Sequence, residues 1–165
     1  MPPALPSLED VLTLPPLAEI VVPPEWEDIN GHVNVQYYLA IYERCTPGML
    51  GQLGIGEDYV RERRFGVFDL SHHIRYIAEI HVGDRVTGHL RYVSRSAKRV
   101  LGVYFIVNHT RRRIASTIEF LAIGADLEAR RAAPWPEVIA THLDALIDEH
   151  TALAWPVPLS GVLSS

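Results

Sequence analysis

Residues 28–53 read DINGHVNVQYYLAIYERCTPGMLGQL, a short polar stretch followed by a long amphipathic one. In the second part, apolar residues recur at the intervals of a helix with one buried face. They are Val35, Tyr38, Leu39, Tyr42, Met49, Leu50 and Leu53. Asn34 is a good N-cap for this helix, whereas Pro47-Gly48 should kink or interrupt it. A long helix of this kind needs a second apolar surface to cover its buried face.

The covering surface is predicted to be a β-sheet built from sequence on both sides of the helix. A short apolar run at 17–22 ends at Pro23-Pro24, which cannot donate ladder hydrogen bonds. Four β-rich runs follow at 65–80, 84–95, 98–110 and 113–124, each bounded by a turn signal. Short links imply antiparallel neighbours, and Pro136 suits the first turn of a closing helix. The predicted fold class is α+β: an antiparallel five-stranded sheet wrapped around the long 34–53 helix, with a C-terminal helix.

Composition is that of an ordinary globular protein and disfavours several classes of function. The chain has 165 residues, 48% of them apolar, and a formal net charge of −5. This charge argues against nucleic acid as a partner, because duplex binding relies on many Lys and Arg contacts. No uncharged run approaches the length of a membrane span, so no membrane partner is expected.

Cysteine and proline usage bear on location and domain organisation. Cys45 is the single cysteine, which rules out an internal disulfide and favours a cytoplasmic location. The first 16 residues are rich in proline and lack the regions of a signal peptide. We expect an extended arm at 1–16, one domain at 17–155 and a tail at 156–165.

The polar stretch at 28–34 is the best clue to activity. It places a carboxylate, two carboxamides, an imidazole and a glycine next to the predicted start of a helix. The first backbone N–H groups of a helix have no intrahelical acceptor and carry partial positive charge. Amides near Asn34 and Val35 are therefore candidates to stabilise an oxyanion, and Gly31 is expected to permit a positive φ or the close approach of a substrate.

Several stretches of the chain resemble one known family. Asp28 lies three positions before Gly31-His32-Val33-Asn34, and Tyr38 follows four positions further on. The run HIRYIAEIHVGD at 73–84 and the stretch 114–136, which ends RRAAPWP, support the same assignment. Over approximately residues 17–137 the chain resembles the hotdog thioesterases, in the branch of the 4-hydroxybenzoyl-CoA and acyl-carrier thioesterases. Within that branch it is similar to the thioesterases of bacterial carnitine breakdown, which act on betainyl-CoA.

The resemblance implies an acyl-CoA thioesterase that needs no cofactor other than the coenzyme A carried by its substrate. Asp28 would be the nucleophile, through an anhydride, or the general base on water. Asn30 would orient the nucleophile or the water, and His32 would protonate the leaving thiolate or only fix the loop. Val35 departs from the family, because many relatives carry a second asparagine there. The family also implies a homodimer or a dimer of dimers, whose sheets pair edge to edge and whose active sites lie at the interface.

Three side chains are candidates to contact the acyl group. Trp26 and Tyr38 have aromatic faces that would suit a quaternary ammonium group through cation–π attraction. A partner subunit could bring His73 into the site. Core packing explains each aromatic equally well. His72 and His73 do not suggest a metal site, because adjacent residues on a strand point to opposite faces.

A basic cluster of Arg95, Lys98 and Arg99 is a candidate to bind the phosphates of coenzyme A. Two further clusters lie at 61–64 and 111–113. The alternative is that these side chains belong to solvated turns and bind nothing.

Two other functions compete with hydrolysis. A catalytically silent acyl-CoA-binding module would use the basic clusters alone, and the presence of Asp28, Asn30 and His32 together argues against it. A hydratase or dehydratase of the same fold has the pattern D-x-N-P-x-H, with five residues from Asp to His. Here Asp28 and His32 are four apart and Gly31 replaces the proline, which disfavours that reading.

Overall fold

A computed structural model describes residues 4–165. Within them the helices are α1 (Leu8–Val11), α2 (Gln36–Gln52), α3 (Glu57–Arg63) and α4 (Glu137–Thr151), with a 3-10 turn at Pro24–Trp26. The strands are β1 (Pro16–Val21), β2 (Phe65–Tyr76), β3 (Arg85–Arg95), β4 (Arg99–Asn108), β5 (Arg113–Asp126) and β6 (Arg131–Ala132). The order of strand, long helix, four strands and closing helix is as predicted.

The strands form one antiparallel sheet in the order β1-β3-β4-β5-β2, and the short β6 pairs with β5. The sheet therefore has one strand more than the five predicted, because two residues after the β5 turn fold back on its end. β2 lies at an edge, with β5 as its partner along nearly its whole length. The α+β class is confirmed.

Each face of the sheet carries its own apolar core because side chains alternate along a strand. On β4, Tyr104 and Ile106 join the large core formed with α2. Their neighbours Val103, Phe105 and Val107 belong to a second, smaller core on the opposite face. A Cβ atom on Gly88 would lie 2.2 Å from the Cys45 sulfur. Glycine at this position of β3 therefore allows α2 to pack closely against the sheet.

The chain termini cover the second core, which corrects the prediction of an extended N-terminal arm. Residues 1–3 of that arm lie outside the described residues, but Leu8–Val11 is helical and begins with a capping box from Ser7 to Asp10. Val11 and Leu14 are buried in the second core with Trp155. Burial of Val11 and Leu14 and the capping box together order this short segment, despite its prolines.

Two local predictions are also corrected. α2 continues through Pro47, which is exposed, so of the predicted kink or interruption the interruption does not occur. β2 ends at Tyr76 rather than at residue 80, and the chain from 77 to 84 leaves the sheet to pack beside the 28–34 loop. That departure positions the site described below. In the part of the chain that the structure describes, every helix is too short or too polar to cross a membrane.

Candidate active site

The 28–34 loop is a tight hairpin held by backbone hydrogen bonds. The N–H of Asp28 donates to the carbonyl of His32 at 3.0 Å, and the N–H of Gly31 donates to the carbonyl of Asp28 at 3.0 Å. Gly31 has φ +78°, a left-handed conformation that glycine adopts without strain. The loop therefore has a fixed shape directly before α2.

Asp28 uses its carboxylate to close the same turn. Its Oδ1 accepts the N–H of Asn30 at 2.8 Å, and the Asn30 side chain lies 3.4 Å from Oδ2. The imidazole Nδ1 of His32 is 3.7 Å from Oδ1. The Asp28 side chain is only 16% exposed, so the turn holds the carboxylate in one position while leaving part of it accessible.

His32 is oriented by the loop but keeps one ring nitrogen open. Its Nδ1 lies 3.3 Å from the carbonyl of Val33, which can only accept, so Nδ1 carries the hydrogen. The Nε2 atom has no hydrogen-bond partner in residues 4–165. His32 can therefore exchange a proton with a bound molecule through Nε2.

The start of α2 has one free backbone donor, and it is not the one on Asn34. The N–H of Asn34 donates to the carbonyl of Trp26 at 2.8 Å, which corrects the expectation that this amide is available. The Asn34 side chain caps the helix by accepting the N–H of Gln36 at 3.1 Å. The N–H of Val35 has no acceptor among the described residues. Val35 is helical (φ −51°, ψ −34°) and 55% exposed, so its amide can donate to a ligand.

A cleft of ≈ 390 Å³ brings these groups together. One wall consists of Asp28 and His32 with the α2 start, and the other of Tyr76 to Glu79 after β2. Tyr38 joins the walls, because its hydroxyl donates to the carbonyl of Ala78 at 3.3 Å and its ring meets Tyr76 edge to face at 5.0 Å. Burial raises the pKa of Tyr38, so it stays a neutral phenol.

The second wall is fastened to the loop by His81. Its Nδ1 lies 3.0 Å from the carbonyl of Gly31, and its Nε2 is 3.3 Å from the Glu79 carboxylate. The N–H of His81 donates to Asp84 at 2.9 Å. Burial alone would raise the pKa of Asp84, but hydrogen bonds from His81, Asn108 and Arg111 outweigh it and lower that pKa. A charged Asp84 therefore anchors this wall.

Trp26 does not line this cleft, contrary to the expectation for it. His73 does not line it within one chain, and its contribution from a partner subunit stays a prediction. Trp26 is 5% exposed, stacked on Tyr37 at 4.9 Å, with the Arg44 guanidinium 5.3 Å from its ring. The 3-10 turn directs this large apolar ring into the core, where burial is more favourable than exposure. On β2, His72 contacts Tyr42 of α2, so the adjacent His73 points to the opposite face of the sheet.

The cluster of Arg95, Lys98 and Arg99 lies far from the cleft within one chain. It forms the β3–β4 turn, whereas the other end of β3 leads to Asp84 and His81 beside the loop. The eleven residues of β3 separate the two ends by roughly 33 Å. Arg95 is also paired with Asp144 through both its Nε, at 2.6 Å, and its Nη2. The structure does not bring this cluster to the site, and its predicted contact with coenzyme A stays a prediction.

Sequence reasoning missed the residues of the second wall. Tyr76 and Glu79 stand in the 73–84 run that carried part of the family resemblance, but a strand extended to residue 80 would have hidden their role. The available signal was spacing: His72 and Tyr76 are four positions apart, so on one strand they face the same side. In the structure both contact tyrosines of α2. Among the described residues, no group of three or more His, Cys, Asp or Glu is arranged to hold a metal ion.

This arrangement of helix, sheet and loop agrees with comparisons with known proteins. A sequence model of the thioesterase-like superfamily matches residues 22–143. The chain belongs to this superfamily. Its sheet wrapped around α2 is the hotdog fold, as Asp28 and the Gly31-His32-Val33-Asn34 sequence implied. Thioester hydrolysis is the activity of its relatives.

Two relatives and one solved structure illustrate the similarity. A Pseudomonas aeruginosa betainyl-CoA thioesterase is 25% identical over 140 residues, covering 85% of this chain and 87% of that protein. An L-carnitine dehydrogenase/betainyl-CoA thioesterase of Agrobacterium fabrum is 30% identical over 121 residues, covering 73% of this chain. The chain spans only 25% of that longer relative. A Staphylococcus aureus protein solved in complex with CoA superposes with a TM-score of 0.79 at 22% identity, covering 90% of this chain and 93% of that one.

Proposed function

We propose that this protein hydrolyses small acyl-CoA thioesters to the free acid and coenzyme A at the cleft between the 28–34 loop and Tyr76 to Glu79. The observation that carries the proposal is the pairing of a fixed carboxylate with a free helix-start amide on one cleft. Thioester hydrolysis needs those two groups, an attacker and an oxyanion donor.

The chemistry assigns a different task to each group. The thioester carbonyl oxygen accepts the N–H of Val35, which stabilises the negative charge that develops during attack. The Asp28 carboxylate either attacks the carbonyl carbon to give an anhydride that water opens, or removes a proton from the attacking water. In both routes the C–S bond breaks and the thiolate leaves as coenzyme A. His32 either supplies the thiol proton through Nε2 or holds the loop in shape.

The free edge of β2 supports the assembly that the family implies. Along this edge Phe68 is 62% exposed and Leu70 is 48% exposed. Long edge strands with exposed apolar side chains pair readily with another strand. We therefore propose a homodimer, or a dimer of dimers, joined at β2, in which a partner subunit completes the cleft beside Tyr76 and supplies contacts to coenzyme A.

Betainyl-CoA is the proposed substrate, with coenzyme A present only as part of it and no separate cofactor. The names of the relatives and the small size of the cleft support this choice, since ≈ 390 Å³ is near the lower end of ligand sites. A cytoplasmic location agrees with a single buried, unpaired cysteine.

Replacing Asp28 by Asn tests the proposal. The amide can accept the same turn hydrogen bond, so folding should be retained, while turnover falls about a thousandfold because the attacker is lost and the oxyanion donor remains. A thiol-reactive dye reports coenzyme A release from betainyl-, benzoyl- and medium-chain acyl-CoA. Asp58→Asn, on the exposed side of α3, is the matched control and should turn over like the wild type.

Two outcomes would contradict the proposal. Turnover like the wild type in Asp28→Asn would remove this residue from the mechanism. No thiol release from any thioester by the wild type, with tight CoA binding retained, would instead favour a binding module that does not catalyse hydrolysis.

A further inference from the structure

Acidic side chains line the cleft without basic ones to balance them. Its lining includes two carboxylates, Asp28 and Glu79, and no Lys or Arg among the described residues. Asp28 belongs to the reaction, but Glu79 lies on the opposite wall and has no part in the proposed chemistry. The Glu79 side chain is 66% exposed, and its contact with His81 at 3.3 Å keeps it beside the cleft. An acyl group that carries a negative charge would be repelled from this site, and one that carries a positive charge attracted.

An aromatic surface stands next to that carboxylate. Tyr76 is 51% exposed, and its contact with the nearly buried Tyr38 is edge to face, with the ring planes at 86°. Tyr38 thus fixes the orientation of the Tyr76 ring. An aromatic face attracts cations that cannot donate hydrogen bonds, such as a quaternary ammonium group, through the negative charge of its π face.

We infer that Tyr76 and Glu79 are specificity-determining residues that select an acyl group bearing a quaternary ammonium. The inference rests on the proposed hydrolase and adds which side chains read the acyl group. Methyl groups shield the charge of such a cation, so it makes no directional hydrogen bond and needs a ring face and a nearby carboxylate instead. Both lie on the wall opposite Asp28. The carbonyl would then lie between the cation and the pantetheine arm, within reach of Asp28 and the N–H of Val35.

The test compares two thioesters of nearly the same shape. Betainyl-CoA and 3,3-dimethylbutanoyl-CoA differ in one atom, the positively charged nitrogen of the first being a neutral carbon in the second. The ammonium group also withdraws electrons from the carbonyl and raises its intrinsic reactivity, but this difference is the same for every enzyme variant. The change in the ratio of the two kcat/KM values between wild type and variant therefore measures recognition of the charge. The wild type should favour betainyl-CoA by about tenfold or more. Tyr76→Leu and Glu79→Gln should each lower that ratio by about three- to tenfold, because kcat/KM for betainyl-CoA falls more than kcat/KM for the neutral thioester.

Two control variants separate charge recognition from other effects. Tyr76→Phe keeps the ring and should keep the wild-type ratio. Glu62→Gln, on the exposed side of α3, makes the same change in net charge away from the cleft and should not alter the ratio. Melting temperatures close to that of the wild type show that Tyr76→Leu and Glu79→Gln remain folded.

The outcomes distinguish this inference from the proposed function. Equal kcat/KM for both thioesters in the wild type would overturn the inference and leave the hydrolase standing. A fall of both values by the same factor in Tyr76→Leu and Glu79→Gln would also overturn it, because those residues would then act on all substrates alike. Failure to hydrolyse any acyl-CoA would overturn the proposed function itself.

Discussion

The end of α4 and the start of α2 differ in whether their terminal backbone polar groups have hydrogen-bond partners. At the end of α4 the carbonyls of His150 and Trp155 are bound by the guanidinium of Arg91, at 2.8 and 2.6 Å, and Arg91 is 5% exposed. At the start of α2 the N–H of Val35 has no acceptor among residues 4–165 and faces a cleft. Helix termini leave polar groups that must be satisfied when they are buried.

The difference separates a structural end from a functional one. The α4 end is covered by the chain and satisfied from within, so its polar groups contribute to stability. The α2 start is kept open beside a carboxylate, where a fixed donor costs no reorganisation when negative charge develops on a substrate. Changes at the two ends should therefore affect different measurements.

Among changes at the two helix ends, the largest effect is expected from removing the free donor at the α2 start. Proline at position 35 deletes the N–H, and proline is favoured at the first position of a helix because its φ already fits. Val35→Pro should lower kcat about 10²- to 10³-fold with little change in stability. Val35→Ala retains the N–H and should keep kcat near the wild-type value.

The rate of thiol release at saturating substrate concentration measures kcat for both variants. Equal turnover in Val35→Pro and Val35→Ala would show that another group binds the oxyanion. A large loss of stability in Val35→Pro alone would show that this amide supports the fold, and the contrast between the two helix ends would then fail.

A change at the α4 end should instead lower stability and leave turnover unchanged. Arg91→Met removes the donors to the carbonyls of His150 and Trp155 while keeping much of the contact with the Trp155 ring, which lies 4.1 Å from the guanidinium carbon. We expect a loss of about 3 kcal/mol in the free energy of unfolding, because the buried Trp155 carbonyl loses its charged donor and the His150 carbonyl keeps only backbone donors. The folded fraction should keep the wild-type turnover.

Urea denaturation measures this loss, and Arg113→Met is its control. Arg113 is exposed at the start of β5, so its replacement should change stability by no more than about 0.5 kcal/mol. An effect of Arg91→Met on kcat rather than on stability would mean that the two ends are coupled.

The sequence predicted the layers of this fold better than it predicted what covers them. On β3, Leu90 and Tyr92 lie in the core with α2, on one face of a strand that the sequence predicted. The intervening residues Thr87, His89 and Arg91 are polar, yet they are only 2%, 2% and 5% exposed. The segments that bury them come from the two ends of the chain, and contacts over such sequence distances leave no periodic signal along β3.

The sequence likewise predicted one part of the candidate site and missed another. The motif and its family resemblance indicated Asp28, His32 and the helix start, and the structure places them on one cleft. Which amide remains free was not predictable, because the Asn34 N–H is taken by the Trp26 carbonyl in the folded chain. Tyr76 and Glu79 were missed since their position depends on where β2 leaves the sheet.

The smallest expected effect is the response of the α4 end to acid. The Nδ1 of His150 accepts the N–H of Tyr92 at 2.8 Å, which requires that this nitrogen carry no proton. Burial lowers the pKa of His150 below its ordinary value of 6.5, while Glu149 opposes the shift and Arg91 adds to it. As pH falls, the unfolded chain therefore takes up a proton before the folded one does. The stability contributed is complete above pH 6.5 and is lost as pH falls through 6.5 toward the folded-state pKa.

Urea denaturation between about pH 5 and pH 7.5 should record this loss, at no more than about 1.4 kcal/mol per pH unit for each proton. His150→Asn keeps an acceptor for the Tyr92 N–H but cannot titrate, so its stability should fall less steeply below pH 6.5. Some slope should remain, because burial also lowers the pKa values of His89 and His109. Identical slopes in the wild type and His150→Asn would place the acid sensitivity elsewhere. A reduced slope would show that the α4 end responds to pH through the satisfied histidine that distinguishes it from the α2 start.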